Sequence, residues 1–438
     1  LAAGVGATVY QARQTERQRV KAEAVNAFLQ TMLNYSDPSS GLTQQNGRDT
    51  TVKDVLNEAS KRLETTDLSG QPDIKAELLR IVGASYLTQG QYDLADKNLS
   101  AALALQKQLY GDGSIESLQT LVELGQLKLA TGDNAGAAAI YDQRVGILRQ
   151  QVAAGAMNPT YLLVALNDYA LVHRGAGNSA AAEELLKEAL ALKPQIPPEN
   201  RIAVGVVESV YALVLSDRGA FDESIAIVRS RIEEIKRNPN PETGELAANL
   251  NALGNFLTEK GDLDEAGQAL AQAETIYRKL FNETYLPIGD CLRLEARVLY
   301  LQGNYAAAEQ KIDAALDIYR RNARPQFINY PNALSIKGLI ESANGKAAEA
   351  ERDLREAVRL RAEAMPDGNF LRADAEGALG EFLSKQKRFA EAEPLLTKSF
   401  RDLTASQAPG SPRLMAAKTR LAEYYRSLGK PELASTIE

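Results

Sequence analysis

Four polar side chains carry the clearest chemistry in this sequence. Asn251 and Asn255 stand four residues apart, and Arg293 and Arg297 repeat that spacing 42 residues later. Within a helix, the i, i+4 spacing stacks each pair on one face. An Asn amide offers both donors and an acceptor, the complement of a peptide backbone, and a guanidinium fork takes a carboxylate through two parallel hydrogen bonds. Two such pairs side by side make a ladder able to hold an extended peptide and an acidic group. The opposing reading is that these residues are only solvated, or pair with Asp290 and neighbouring glutamates.

Catalytic chemistry finds much less to work with. His173 is the only histidine and Cys291 the only cysteine, so neither a CxxC metal or redox site nor an internal disulfide framework can be assembled. His173 is expected to be structural, and Cys291 to be a buried or half-buried thiol without a companion base. Glu183, Glu184 and Glu188 read as a solvated helix face. The sequons Asn98-Leu-Ser100 and Asn282-Glu-Thr284 are chance matches unless the protein is secreted from a eukaryote. No phosphate-cradling motif occurs. The net charge of −7, with Lys and Arg interspersed among Asp and Glu, argues against a nucleic-acid surface. The expectation is a chain with no catalytic residues, no metal and no cofactor, which binds rather than transforms.

The elements that must position the ladder are written in a repeat. Turn residues recur at Gly90, Gly132, Gly177, Gly219, Gly261, Gly303, Gly345, Lys387 and Gly429, every interval being 42 except one of 45. Seven residues before each turn stands Gly or Ala (Gly83, Gly125, Ala170, Ala212, Gly254, Ala296, Gly338, Gly380, Ala422). Nine after each of the first eight turns stands a large apolar residue: Leu99, Tyr141, Leu186, Val228, Leu270, Ile312, Leu354 or Leu396. Apolar residues at three- and four-residue intervals mark amphipathic helices on both sides of each turn. The small residue lets the two helices approach, and the large one fills the groove between them. Prolines at 159, 197, 239, 287, 331, 366 and 412 start or stop helices between repeats. A unit of this length cannot bury its apolar face alone, so the units must stack.

This small–large–small pattern around a turn Gly resembles the tetratricopeptide repeat, in the 42-residue variety of kinesin light chains and many bacterial proteins. The resemblance covers residue 75 to the end at 438. It implies an all-α fold: a right-handed superhelical solenoid of about nine antiparallel helix pairs, the last cut short. It also implies that the first helix of each pair lines the concave face. By register, Asn167, Arg174, Asn251, Asn255, Arg293, Arg297 and Tyr300 should point there. The partner implied is a protein or extended peptide, held through its backbone or a carboxylate. Two departures stand out. Lys387 replaces a turn Gly, which should strain or reshape that turn, and three extra residues around Ala153–Pro159 should alter the step between neighbouring repeats.

Ahead of the repeats, residues 1–10 (LAAGVGATVY) are apolar and uncharged, and Arg13, Glu16, Arg17, Arg19 and Lys21 follow at once. Ten residues cannot cross a bilayer core of about 30 Å. The segment is either the second half of a membrane helix that starts upstream, or a soluble helix start. A chain beginning at Leu1 instead of Met is expected to continue upstream. Residues 11–36 are expected to form an amphipathic juxtamembrane helix with Val25, Phe28, Leu29, Met32 and Leu33 on one face, which could pack on the array or on a second copy in a homodimer. A polar linker (37–50) and a leading helix or cap (51–74, TVKDVLNEASKRLE at 51–64) follow. This order resembles the region after the membrane helix in bacterial receptor-type serine/threonine kinases, whose repeats form the sensor beyond the inner membrane. The resemblance implies a periplasmic protein-binding array regulating a kinase domain that this sequence lacks, since no Gly-rich loop, HRD or DFG is present. The cluster Arg13–Lys21 pulls the other way, because positive charge favours the cytoplasmic side. The alternatives are a free-standing cytoplasmic scaffold or assembly factor, and the effector-sensing array of a transcription regulator.

Overall fold

In the computed structural model, residues 52–65, 68, 70–322 and 329–437 are described, together with the helical, exposed Arg19, Glu23, Asn26 and Gln30. The apolar segment 1–10, the stripe Val25–Leu33 and the linker 37–50 lie outside the described residues. Among those described, the structure is all helix: a leading helix α1 (Val52–Thr65) and nine successive pairs. The pairs are α2 (Pro72–Thr88) with α3 (Tyr92–Tyr110), α4 (Ile115–Ala130) with α5 (Asn134–Ala153), and α6 (Pro159–Gly175) with α7 (Ser179–Ala191). Next come α8 (Arg201–Asp217) with α9 (Phe221–Lys236), α10 (Gly244–Lys260) with α11 (Leu263–Leu280), and α12 (Leu286–Leu301) with α13 (Tyr305–Asn322). The last are α14 (Asn329–Ala343) with α15 (Ala347–Ala364), α16 (Phe370–Lys385) with α17 (Phe389–Ser406), and α18 (Pro412–Ser427) with the short α19 (Pro431–Ser435). The repeat period therefore marks helix pairs as expected, and the fold is an all-α solenoid.

The turn between partners shows why the period is so regular. At the second turn, Gly132 takes φ +79 and the Asp133 amide donates to the Lys128 carbonyl at 2.8 Å, closing α4. The Asp133 carboxylate then accepts from the Gly136 amide at 2.8 Å and caps α5. One short turn thus satisfies both helix ends. Lys387 sits at the same point with φ +61, the one non-glycine residue with positive φ among those described, and Arg388 N still donates to Leu383 O at 2.9 Å. The missing Gly leaves the turn's hydrogen bonding intact, and Lys387 bears the cost of the left-handed conformation, about 1 kcal/mol.

The small and large positions pack against one another. A Cβ added at Gly254 would lie 2.5 Å from Leu270 Cγ, and one at Gly338 would lie 2.5 Å from Leu354 Cγ. Gly83 stands in the same relation to Leu99, Gly125 to Tyr141 and Gly380 to Leu396. Each of these leucines is essentially fully buried, a burial worth about 1.5–3 kcal/mol apiece.

Two compact units divide between Asn158 and Pro159, where the three extra residues fall. In the first, α1 packs on α2 through Leu56, Ala59 and Leu63, and the Tyr86 hydroxyl donates to the Leu56 carbonyl at 2.9 Å. This helix covers apolar side chains of α2. The second unit holds seven pairs, in which the first helices α6, α8, α10, α12, α14, α16 and α18 touch in sequence as one layer. Its largest core runs continuously from Ala212 to Leu360 and contains Cys291, whose thiol is fully buried and pushed well up by burial.

Candidate functional site

The inner layer of the second unit encloses a cavity of about 630 Å³, and all seven of its first helices contribute side chains. Asn251 and Asn255 face it from α10, and Arg293 and Arg297 from α12. The two pairs are therefore neighbours on adjacent helices, as their 42-residue offset requires. Arg174 reaches the same cavity from the end of α6. Two other candidate residues lie elsewhere. Asn167 is buried within the helix packing, its Oδ1 without a hydrogen-bond partner. Tyr300 is half-buried at the end of α12, its ring 5.7 Å from that of Tyr305.

The charges of the cavity differ in how far they are already matched. Arg297 is paired: its Nη2 donates to Glu259 Oε2 at 3.0 Å and its Nη1 to Oε1. Burial pulls the Arg297 guanidinium down, but Glu259 and then Asp374 outweigh this and hold it above the usual arginine range. Arg174 Nε donates to Asp217 Oδ2 at 2.5 Å. Arg420 Nη1 donates to Asp374 Oδ1 and its Nε to Glu381 Oε2, both at 3.0 Å. Burial pushes the Asp374 carboxyl up, yet Arg420 and Arg413 more than offset it, so it stays ionised below the usual range. The reading in which ladder residues pair with nearby glutamates thus holds for Arg297.

It does not hold for Arg293. Among the described residues Arg293 makes no ion pair, its Nε is buried without a partner, and its polar neighbour is the Tyr319 hydroxyl. Asp290, three residues earlier, is taken up elsewhere: its Oδ1 accepts from Tyr319 Oη at 2.6 Å and from Asn329 Nδ2 at 2.7 Å. Neither Asn251 nor Asn255 makes a side-chain hydrogen bond among the described residues, and Asn251 Oδ1 is buried and unsatisfied. Buried polar groups normally find partners. Arg293, Asn251 and Asn255 therefore present unspent capacity to the cavity, beside apolar wall from Leu213, Phe256, Leu294, Ile336 and Leu339.

Several cavity residues were not singled out from the sequence, and the repeat held the signal for some. Asp290, Asn332 and Asp374 stand 42 residues apart and occupy one phase on α12, α14 and α16. Glu259 lies four residues past Asn255 on the same face of α10. Arg413 and Arg420 on α18 had no such signal, because they reach the cavity only through the path of the whole array. One carboxylate departs from expectation. Glu183 is buried, bonded to Arg218 and lying 2.8 Å from Lys187 Nζ, while Glu184 is exposed as a solvated face should be. His173 is held against Tyr169, ring centroids 4.6 Å apart. No cluster of His, Cys, Asp and Glu able to hold a metal occurs among the described residues, nor is any helix among them long and apolar enough to cross a membrane.

Residues 75–150 and 245–321 match the tetratricopeptide-repeat family model. No curated protein matches the chain in sequence. Among solved structures, the apo form of the quorum sensor NprR from B. thuringiensis aligns with TM-score 0.53 at 15% identity, covering 87% of this chain and 99% of its own. A Rap protein complexed with Competence and Sporulation Factor aligns with TM-score 0.50 at 13% identity, covering 87% and 100%. BtubC (BKLC) from P. vanneervenii aligns with TM-score 0.40 at 16% identity, over 56% of this chain and 92% of its own. The matched stretches are tetratricopeptide repeats, and the helix pairs with their small–large packing carry the same all-α solenoid architecture between and beyond them.

Proposed function

We propose that the second unit is a receptor for an extended peptide bearing a carboxylate, seated in the cavity of the inner helix layer. Asn251 and Asn255 bond its backbone and Arg293 takes the acidic group. The observation that carries this reading is the unspent hydrogen-bonding capacity of those three side chains inside a walled cavity of about 630 Å³. That volume suits a short peptide segment. The structural likeness to NprR and Rap supports the fold alone, and the Rap structure shows such a fold occupied by Competence and Sporulation Factor.

The test is a pool of random hexapeptides, with free or amidated C-termini, passed over the immobilised chain and read by mass spectrometry. Free-acid peptides should be retained and their amides lost. Arg293→Ala should weaken retention by more than tenfold at unchanged helicity, since hydrogen bonds to charged groups are worth about 1.5–3 kcal/mol. Equal retention of acids and amides would remove the carboxylate from the proposal, and an unaffected Arg293→Ala would remove Arg293.

The wider setting we propose is the sensor part of a larger, inner-membrane-anchored serine/threonine kinase, with the repeats in the periplasm. What supports it is the order of segments before the repeats: apolar 1–10, the charged stretch that follows, the Ser36-Asp37-Pro38 stop and the helix beginning at Val52. The reading frame upstream of Leu1 decides this. Further apolar residues preceded by a kinase domain with its HRD and DFG would establish it. A DNA-binding domain there would favour the transcription-regulator reading, and a start codon or ordinary signal peptide immediately before Leu1 would leave a free-standing scaffold.

A further inference from the structure

The seven pairs of the second unit close on themselves. The segment between α17 and α18 meets the turns of the unit's first two pairs, about 190 to 230 residues earlier in the sequence. A Cβ at Gly219 would lie 2.3 Å from the Gly410 carbonyl oxygen, and one at Gly177 would lie 2.6 Å from the Ser406 carbonyl oxygen. Conversely, a Cβ at Gly410 would lie 2.7 Å from the Arg218 carbonyl oxygen. The equivalent turn glycines Gly261, Gly303 and Gly345 have nothing within 4 Å. Among the turn glycines of the described residues, only Gly177 and Gly219 meet backbone this way, and at Gly219 and Gly410 glycine stands on both sides.

The segment is shaped before it docks. Ser411 is fully buried, its amide donating to the Ala408 carbonyl at 2.9 Å and its hydroxyl to Gln407 Oε1 at 3.1 Å. Beside it Arg413 lies over the Phe370 ring, 5.2 Å from its centroid, with its Nη1 3.8 Å from Asp217 Oδ1. Asp217 is the residue that Arg174 also holds. Both flanks of the closure thus supply cavity wall: Arg174 and Asp217 from the early pairs, Arg413 and Arg420 from α18.

We propose that this contact is a reversible latch, and that latch closure and cavity occupancy are coupled. The inference rests on the cavity being a ligand site. From Ala212 to Leu360 consecutive pairs share one apolar core, whereas the contacts across the closure among the described residues are backbone approaches and one long ion pair. With the latch open, α18 is free to leave α6 and α8, and the cavity loses part of its wall. A ligand touching both flanks binds the closed state better, so its binding must favour closure to the same degree that closure favours binding.

The experiment is Gly410→Val in the full chain, which fills the space against Arg218 at a residue that does not itself line the cavity. X-ray scattering of the ligand-free protein should show a larger radius of gyration at unchanged circular dichroism. Retention of the free-carboxylate hexapeptide pool should fall about tenfold if the open form outweighs the closed by ten to one. Scattering that superimposes on the wild type overturns the latch, whatever any peptide does. Expansion with undiminished retention overturns the coupling. If the wild type retains nothing from the pool, the ligand reading and the coupling fail together, while scattering still decides the latch. Should Gly410→Val lose helical signal, the smaller Gly410→Ala, whose Cβ would still stand 2.7 Å from the Arg218 carbonyl oxygen, carries the same comparison, and the same two outcomes overturn the proposal.

Discussion

The packing of small on large side chains across each pair makes a quantitative prediction at Gly338 and Leu354. Leu354 is fully buried, and the space above Gly338 is filled by its branch point, 2.5 Å from where a Cβ would stand. Leu354→Ala deletes buried methyl groups between two helices held apart by their neighbours, a cavity that relaxes poorly and costs about 3 kcal/mol. Gly338→Ala gains about 1 kcal/mol of helix propensity. Its Cβ must nevertheless displace Leu354 and crowd the Ala350 carbonyl oxygen at 3.1 Å, an overpacking cost of about 2 kcal/mol that leaves about 1 kcal/mol of net loss. In the double variant the new Cβ occupies room that the leucine has vacated, so most of the overpacking vanishes, leaving only the approach to the Ala350 carbonyl, and the propensity gain remains. The singles sum to about 4 kcal/mol and the pair should cost about 2, a coupling of about 2 kcal/mol. Urea unfolding followed by circular dichroism gives the total. Hydrogen exchange of the α14 and α15 amides gives the local value, which matters because repeat arrays unfold in neighbouring units. Additivity to within about 0.5 kcal/mol would refute the argument, since it would mean that the two residues do not share one space.

Two further predictions follow from the charges. Burial, then Asp353, push the Glu341 carboxyl up to about 7 against the pull of Lys337 and Arg352, with Glu309 adding to the rise. The folded state therefore binds this proton more tightly than the unfolded chain. The resulting stability is fully present below about pH 4.3 and lost as pH rises through about 7. Glu341→Gln should flatten the fall in stability between pH 5 and pH 8, gaining about 1–2 kcal/mol at pH 8 and almost nothing at pH 5. Thermal unfolding at both pH values measures this, and equal effects at the two would contradict the assignment. Separately, Glu259→Gln releases Arg297 into the cavity, so calorimetry should find a retained free-acid peptide bound about tenfold more tightly. Weaker or unchanged binding would show that Arg297 does not face the ligand.

Much of this molecule was legible because one physical constraint repeats. The small residue, the turn and the large residue are each forced by the close approach of two helices, so nine copies at one phase identify helix pairs without any tertiary information. The same register carried Asn251, Asn255, Arg293 and Arg297 onto one wall, since helices offset by one repeat present equivalent positions side by side. Register sets direction only roughly, however. Asn167 shares the ladder's phase yet is swallowed by packing near the start of the second unit. Arg297 shares it with Arg293 yet is neutralised by Glu259, one turn beyond Asn255. Whether a polar side chain on the inner face is free depends on its neighbours on the adjacent helix, which a single-helix pattern does not encode.

The closure was illegible for a different reason. In sequence, Gly177 and Gly219 look like every other turn glycine: each is demanded by the positive φ that ends a helix, and that demand masks any second role. Gly410 belongs to no such turn and stands between Pro409 and Ser411, where a loop glycine attracts no notice. Their meeting depends on the curvature accumulated over seven pairs, each adding a small rotation set by side-chain volumes throughout the core. A local code can thus fix every pair and its neighbour while leaving the ends of the array undetermined until the rotations are summed. The contact that completes the cavity wall joins residues about 190 to 230 apart in sequence, through backbone approaches and one long ion pair. That combination suits it to respond to a ligand, because a modest difference in binding between two arrangements is enough to shift a weakly held closure.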